Sequence, residues 1–408
     1  MKMIQPATAR AEEKGTHHLL KLFMPGSLYI HIPFCVKRCI YCDFVSGVYD
    51  PAKADACIKA LQKELAGIPE GTALSTLYIG GGTPTVLPAG MLAELISRIF
   101  SRFRFMEDYE ATIEANPGTL DREKAGLIRS SGINRISIGV QSFNRAELEF
   151  LGRIHSPGEA EQAVRIARDA GFDNTGIDLI YGIPGQDMDS WKKTLRKAVS
   201  LMPEHISTYE LTVEKGTVLY EQLNAATPRA ENRFRLPEEA TVIEMYEYTI
   251  DYLKSEGFIH YEISNFAVPG WQCRHNLNYW DRGEYYGVGP GAHSFLSGKR
   301  YCNTPVLDEY IRAVSESGRP ACNAEDITGD RALSEAVFLG LRKTEGLCLE
   351  SLARLYRQNI LSRYSKEIST LEDAGLVEIV SVACSYETSL RLTRKGLLLS
   401  NEVFEKFM

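Results

Sequence analysis

The sequence contains no run of eighteen or more apolar residues, which excludes a helix able to cross a bilayer. It has no surplus of positive charge. Its 46 Lys and Arg are outnumbered by 53 Asp and Glu, for a net charge of −7, and this speaks against a broad nucleic-acid-binding face. Internal repeats and low-complexity tracts are absent. The first 26 residues lack the apolar core and small-residue cleavage site of a secretion signal. They read as a solvated N-terminal extension carrying His17 and His18, and the expected location is cytoplasmic. Also missing is a second CxxC-type pair, which a structural zinc site would need to complete four ligands.

What is present is the composition of a globular α/β protein, with 408 residues, 44% hydrophobic and 24% charged. Six β-rich runs, at 27–32, 75–80, 109–115, 135–140, 174–182 and 205–211, alternate with amphipathic segments around 53–66, 90–103, 121–130, 157–170 and 189–200. This order predicts a parallel sheet with right-handed crossovers. The runs end in polar or glycine residues: Cys35 onward, Gly80-Gly81-Gly82, Glu114, Gln141, Asp178 and Tyr209. Six strand ends supplying functional groups suit a ring better than a flat sheet. The expected fold is therefore a partial (β/α)6, TIM-like barrel over 27–257. A long helix (238–256) closed by Gly257 ends it. A loop-rich aromatic segment follows, in a connecting region assigned to 258–300. The last part, 301–408, reads as a small helical, winged-helix-like domain whose hairpin lies at 376–380 and 390–396.

Of nine cysteines, Cys35, Cys39 and Cys42 fall within eight residues. The other six, Cys57, Cys273, Cys302, Cys322, Cys348 and Cys384, are scattered and read as small buried hydrophobes. Three thiolates in one loop select an iron–sulfur cluster, zinc or copper(I) over hard cations. Zinc would need a fourth ligand, for which His31 and His275 are the candidates. A cubane held by three cysteines leaves one iron open to an external ligand. Gly80-Gly81-Gly82-Thr83-Pro84-Thr85 follows the second strand, where glycines let backbone N–H groups approach an anion. Glu114 ends the third strand without an evident partner. Arg153 offers a fixed guanidinium fork that suits a carboxylate. Further on, His275-Asn276-Leu277-Asn278-Tyr279-Trp280 sets an imidazole beside flat aromatic surfaces, as a macrocycle would require.

CxxxCxxC after the first strand of a β/α barrel resembles the radical S-adenosylmethionine (SAM) superfamily. The blocks YIHIPFC, GGGTPT, IEANP, ISIGVQSFN, LGRIH and IDLIYGIPGQ are similar, in order, to the oxygen-independent coproporphyrinogen III oxidases and their relatives. The resemblance runs from Tyr29 to the C-terminus. It implies a [4Fe–4S] cluster on Cys35, Cys39 and Cys42, with SAM on the open iron and Tyr29, Gly81 and Glu114 contacting it. Tyr41, Gly82, Thr83, Gln141, Arg153, Asp178 and Leu211 match positions of a second SAM site in the oxidases.

Two departures point within the family. The oxidases carry a fourth cysteine where this chain has Phe44, and they have an N-terminal extension that covers substrate. Both are absent from the heme-chaperone branch, which HNxxYW in the setting CRHNLNYW also resembles. That branch implies heme held near His275, Tyr279 and Trp280, with Cys273 and His293 as other candidate axial ligands. It further implies hemoprotein acceptors, an electron donor for the cluster and a cluster-linked homodimer. The alternatives are a coproporphyrinogen III dehydrogenase, another radical SAM enzyme acting on heme, and a structural zinc protein.

Overall fold

A computed structural model describes residues 26–224, 235–320, 322–381 and 387–408. His17, His18 and Cys384 lie outside them. Six parallel strands form the centre: β1 (Gly26–Ile32), β2 (Ala73–Gly81), β3 (Arg104–Ala115), β4 (Arg135–Gln141), β5 (Asn174–Tyr181) and β6 (His205–Glu210), hydrogen-bonded in that order. Helices α1 (Pro51–Ala66), α2 (Ala89–Arg102), α3 (Arg122–Ser130), α4 (Pro157–Asp169) and α5 (Met188–Ser200) fill the crossovers. The expected partial barrel is the observed one.

Local sequence sets the helix starts. Asp50, Asp121 and Asp187 each accept a backbone N–H of the first turn of α1, α3 and α5. Ser156 and Glu159 form a reciprocal capping box on α4, with Pro157 at its first position. Helix α6 (Glu239–Ser255) stops before Gly257, whose φ of 89° is the left-handed turn glycine supplies cheaply.

Strand alternation then divides the barrel into two environments. Leu28, Ile30, Leu77, Ile79, Ile113, Ile136, Ile138, Val140, Ile177, Leu179 and Ile206 point outward and are buried under the helices in one apolar cluster. The intervening positions point inward and are largely polar: Tyr78, Glu114, Arg135, Ser137, Asp178, His205 and Ser207 all face the interior space. A filled TIM barrel packs bulky branched residues there. This one keeps a cavity.

The sheet does not close. The free edge of β1 pairs in parallel with β9 (Tyr285–Val288), and β6 pairs antiparallel with β8 (Asn265–Ala267), which pairs with β7 (Ile259–Glu262). Beyond β9 come β10 (His293–Leu296), β11 (Lys299–Asn303) and β12 (Cys322–Asp326), giving a twelve-stranded sheet among the described residues. The segment expected to be loop-rich, 261–295, is thus mostly short strands plus helix α7 (Arg274–Trp280). Its strands are only three or four residues long and hold few alternations, so periodicity could not expose them.

Helix α8 (Gly329–Gly340) opens the C-terminal unit, whose small sheet has the order β13 (Leu347–Cys348), β15 (Thr388–Leu392), β14 (Val377–Ser381). It has its own apolar cluster, including Leu333, Val337, Leu390 and Phe404. Glu335 on α8, itself buried, lies 2.7 Å from both Arg282 and Arg300. Both guanidiniums lie over the Phe295 ring, clasping this unit to the main sheet. Of the scattered cysteines, Cys57 and Cys273 are buried as expected, whereas Cys302 and Cys348 are only half-buried. Among the described residues, no helix is long and apolar enough to cross a membrane.

Ile138 sits fully buried between inward-facing Ser137 and Gly139. Ile138→Ala is expected to cost about 2–5 kcal/mol, measured by denaturant unfolding of the cluster-free protein. A loss under about 1 kcal/mol would mean that the outward face does not carry the core.

Candidate functional site

A cavity of about 340 Å³ opens where the parallel strands end. It is lined by Cys35, Cys39, Cys42, Tyr41, Gly81, Gly82, Thr83, Glu114, Gln141, Arg153, Asp178 and Leu211. The structure thus brings these twelve expected site residues around one space. Tyr29, His275, Tyr279 and Trp280 are not among its lining residues.

The cysteine loop leaves β1 and is closed by a two-residue pairing of Phe34–Cys35 with Gly47–Val48. All three thiols are free and partly exposed. Burial raises the Cys35 and Cys42 thiols above their ordinary range. Thr83 Oγ1 donates to Cys35 Sγ and Arg153 Nη1 to Cys39 Sγ, each at 3.6 Å, so donors stand ready to offset thiolate charge. Among the described residues, no three His, Cys, Asp or Glu side chains close on one ion-sized point. His31, the nearer candidate for a zinc site, has both ring nitrogens engaged, Nδ1 with Tyr29 at 3.0 Å and Nε2 with Val45 O at 2.7 Å. The donor set fits a cluster held by three thiolates better than tetrahedral zinc.

The glycine turn works differently from expectation. Gly81 N donates to Glu114 Oε2 (3.1 Å), Gly82 N to Ile32 O (2.8 Å) and Thr83 N to Phe34 O (2.7 Å), so these N–H groups do not form an open anion nest. Glycine is required by packing instead. At Gly81 the backbone is left-handed (φ 113°) and a Cβ would come within 2.8 Å of the His31 ring; at Gly82 it would lie 2.6 Å from Phe34 O. The turn is pressed against the strand that delivers the cysteines.

Glu114 accepts from Tyr78 Oη at 2.8 Å as well as from Gly81. Burial is the main reason its carboxyl is pushed up to about 7. Asp178 accepts from Ser207 (2.7 Å) and Ser137 (3.1 Å), and burial raises it too. Arg153 donates to Asn116 Oδ1 and Gly139 O, so much of its fork is already spent on the protein. Gln141 ends β4 with φ 67°, a left-handed backbone uncommon outside glycine that turns the chain at the cavity wall. Tyr41 and Leu211 pack together with Ile180 and Leu219 at one side of the mouth.

The HNLNYW sequence forms α7. Its first N–H groups, of Arg274 and His275, donate to Glu110 of β3 at 3.0 and 3.1 Å, so a strand carboxylate caps the helix. His275 is 1% exposed. Thr76 donates its proton to Ser27 Oγ, so it accepts from His275 Nδ1 at 2.7 Å. Nε2, 2.9 Å from Tyr279 Oη, is left to accept from that hydroxyl. The lone pair that would bind iron is therefore occupied. Burial holds the imidazole neutral, its pKa lowered to about 3. His275 lies in a nest of rings with Tyr78, Tyr279 and Tyr29, at centroid distances of 5.2, 4.9 and 6.5 Å. Trp280 is stacked by Arg342 at 4.3 Å. Only Asn276 of this helix reaches the cavity lining.

Residues 29–198 match the Radical SAM superfamily and 327–399 the HemN C-terminal domain. The chain is 38% identical over 384 residues to the heme chaperone HemW of Lactococcus lactis subsp. lactis (strain IL1403), covering 94% of this chain and 97% of that one. It belongs to the HemW family. The HemW of Bacillus subtilis (strain 168) is 36% identical over 386 residues, covering 94% of this chain and 99% of its own length. A solved structure, the radical SAM enzyme coproporphyrinogen III oxidase (HemN) of Escherichia coli, superposes with a TM-score of 0.80 at 26% identity, over 94% of this chain and 90% of that one. HemW membership brings with it the radical SAM cofactors, a [4Fe–4S] cluster and SAM. Phe44, at the position where the oxidases were expected to carry a fourth cysteine, is 63% exposed.

Sequence reading missed Tyr78, Asn116, Arg135, His205 and Ser207 as cavity-lining residues, whereas Tyr209, singled out as a strand-end group, does line the cavity. The signal for Arg135 and His205 was available, since each begins a strand and shares its inward phase with an identified site residue. Ligand-free protein examined by 15N-resolved NMR should show a neutral His275 ring with no titration from about pH 5 to 8. A midpoint near the ordinary value of about 6.5 would contradict the doubly bonded, buried geometry.

Proposed function

We propose that this protein binds heme and delivers it to acceptor hemoproteins, with a [4Fe–4S] cluster on Cys35, Cys39 and Cys42 and SAM governing the handover. One observation carries this reading. The helix bearing His275, Tyr279 and Trp280 is built onto the strands that supply the SAM pocket: Glu110 and Glu114 share β3, and Tyr78 touches both Glu114 and the His275 ring. The curated relatives aligned over nearly the whole chain are named heme chaperones, which supports the same reading. The further expectations, an electron donor, a homodimer and a cytoplasmic location, belong to this proposal.

When bound, the reduced cluster supplies one electron to SAM. The chain's own residues prepare the site for it. Thr83 and Arg153 stabilise the thiolates, and Gly81 and Tyr78 orient the Glu114 carboxylate toward the cavity, where it is suited to hold the ammonium group of SAM. Tyr29 supports this wall from behind through Tyr78, at a ring distance of 6.2 Å. Tyr41, Gly82, Gln141, Arg153, Asp178 and Leu211 surround the remaining space, which could accept a second SAM or a flat ligand. Coordination of heme iron by His275 requires Tyr279 to release Nε2, so axial ligation through this residue entails a rearrangement of α7. His293 is the accessible alternative, exposed on β10.

Heme binding is tested by anaerobic visible-absorption titration with hemin. The wild type should give a shifted Soret band that His275→Ala weakens; no shift in the wild type would sink the proposal. SAM affinity should fall as pH drops below about 7, because protonation removes the Glu114 charge, and Glu114→Gln should flatten that dependence. The structural match to HemN favours a second reading, coproporphyrinogen III dehydrogenation. Robust formation of protoporphyrinogen by the cluster-loaded protein would establish it over the first.

A further inference from the structure

The deepest part of the barrel holds polar groups that none of the roles above uses. Arg135, at the start of β4, is 1% exposed and lines the cavity. Its hydrogen bond to protein is a long one, from Nη1 to Thr112 Oγ1 at 3.4 Å, and its Nε has no partner. A buried guanidinium without a bonded counter-charge is costly. The carboxylates nearby are otherwise occupied: Asp178 by Ser137 and Ser207, Glu114 by Tyr78 and Gly81, and Glu110 by the first turn of α7.

His205, at the start of β6, is also 1% exposed, and its Nδ1 has no partner. Its Nε2 lies 2.7 Å from Tyr261 Oη. That oxygen already accepts the Cys273 N–H at 3.3 Å, so its own proton is free to go to Nε2. With Tyr261 donating to Nε2, the ring proton of a neutral His205 sits on Nδ1, as an unused donor.

Gly176 of β5 lies between the two. A Cβ at this position would come 3.1 Å from Ser137 Oγ, 3.4 Å from Arg135 Nη2 and 3.6 Å from His205 Nδ1. Its backbone is ordinary strand, so no conformational demand selects glycine here. Without a side chain, Gly176 lets Ser137, Arg135 and His205, all three lining the cavity, approach one another closely.

We infer that Arg135 and His205 are the donors of a carboxylate-binding subsite at the floor of the barrel cavity. A planar guanidinium edge and an imidazole N–H suit a two-oxygen anion. Resting on the proposed cargo and cofactor, the carboxylate belongs either to a propionate arm of heme or to the amino-acid end of a SAM molecule. It is distinct from the Arg153 position, whose donors are turned to Asn116, Gly139 and Cys39.

The test measures binding of hemin, hemin dimethyl ester and SAM to the anaerobic, cluster-loaded full chain as wild type, Arg135→Met and Gly176→Ala. Gly176→Ala presses a methyl group against both donors and guards against a folding defect in Arg135→Met. Both variants should lose about ten-fold or more in affinity for one carboxylate ligand, the scale of a lost hydrogen bond to a charged group. Loss for hemin but not for its diester identifies the propionate; loss for SAM alone identifies the amino-acid end. If both variants, folded by circular dichroism, bind SAM as the wild type does and show no hemin loss specific to the free acid, the subsite is refuted. Should the wild type bind no hemin at all, the heme proposal fails, while the SAM arm still decides the subsite.

Discussion

The structure depends on one constraint, the two-residue period of its parallel strands, which sends aliphatic side chains outward and polar ones inward. Ile136, Ile138 and Val140 anchor β4 beneath the helices, while Arg135, Ser137 and Gln141 from the same strand face the interior. The outer face supplies the apolar burial that holds the fold. The inner face is thereby free to remain polar and incompletely filled. Stability and site are separated by a single residue step along each strand, so a register slip would exchange them.

Against that frame, the cofactor region is assembled by close backbone approach. The turn at Gly81 and Gly82 presses on His31 and Phe34, and its N–H groups are consumed in doing so. Its contribution is the fixed distance between the cysteine loop and the strand end bearing Glu114. Asn116 extends the arrangement, donating to Thr83 and accepting from Arg153, so residues touching Cys35 and Cys39 are linked through one amide.

Much of this was legible in the sequence. The six strands and their crossover helices are legible within a few residues because each carries full alternation or a helical apolar stripe, with a side-chain cap on four of the five helices. The cysteine triad and its neighbours converge because they lie at equivalent strand ends. What was not legible depended on long-range pairing. β8 is three residues long and is defined by β6 and β7 on either side, not by its own pattern. The bonding of His275 needed Thr76 and Tyr279 in place around it, and no local feature announces that its Nε2 is capped. Arg135 and His205 are hard to read as site residues for another reason: they begin strands, whereas barrel sites usually gather at the strand ends.

The clasp of Glu335 by Arg282 and Arg300 has a thermodynamic consequence. Each half of the molecule has its own apolar cluster, an arrangement that would ordinarily allow independent melting. Separating them would break both ion pairs, leaving the two cations on Phe295 in one half and the Glu335 carboxylate on α8 in the other without their partners. The cost of parting therefore falls on both halves together. The C-terminal unit is thus coupled to the barrel sheet through one carboxylate shared by two cations.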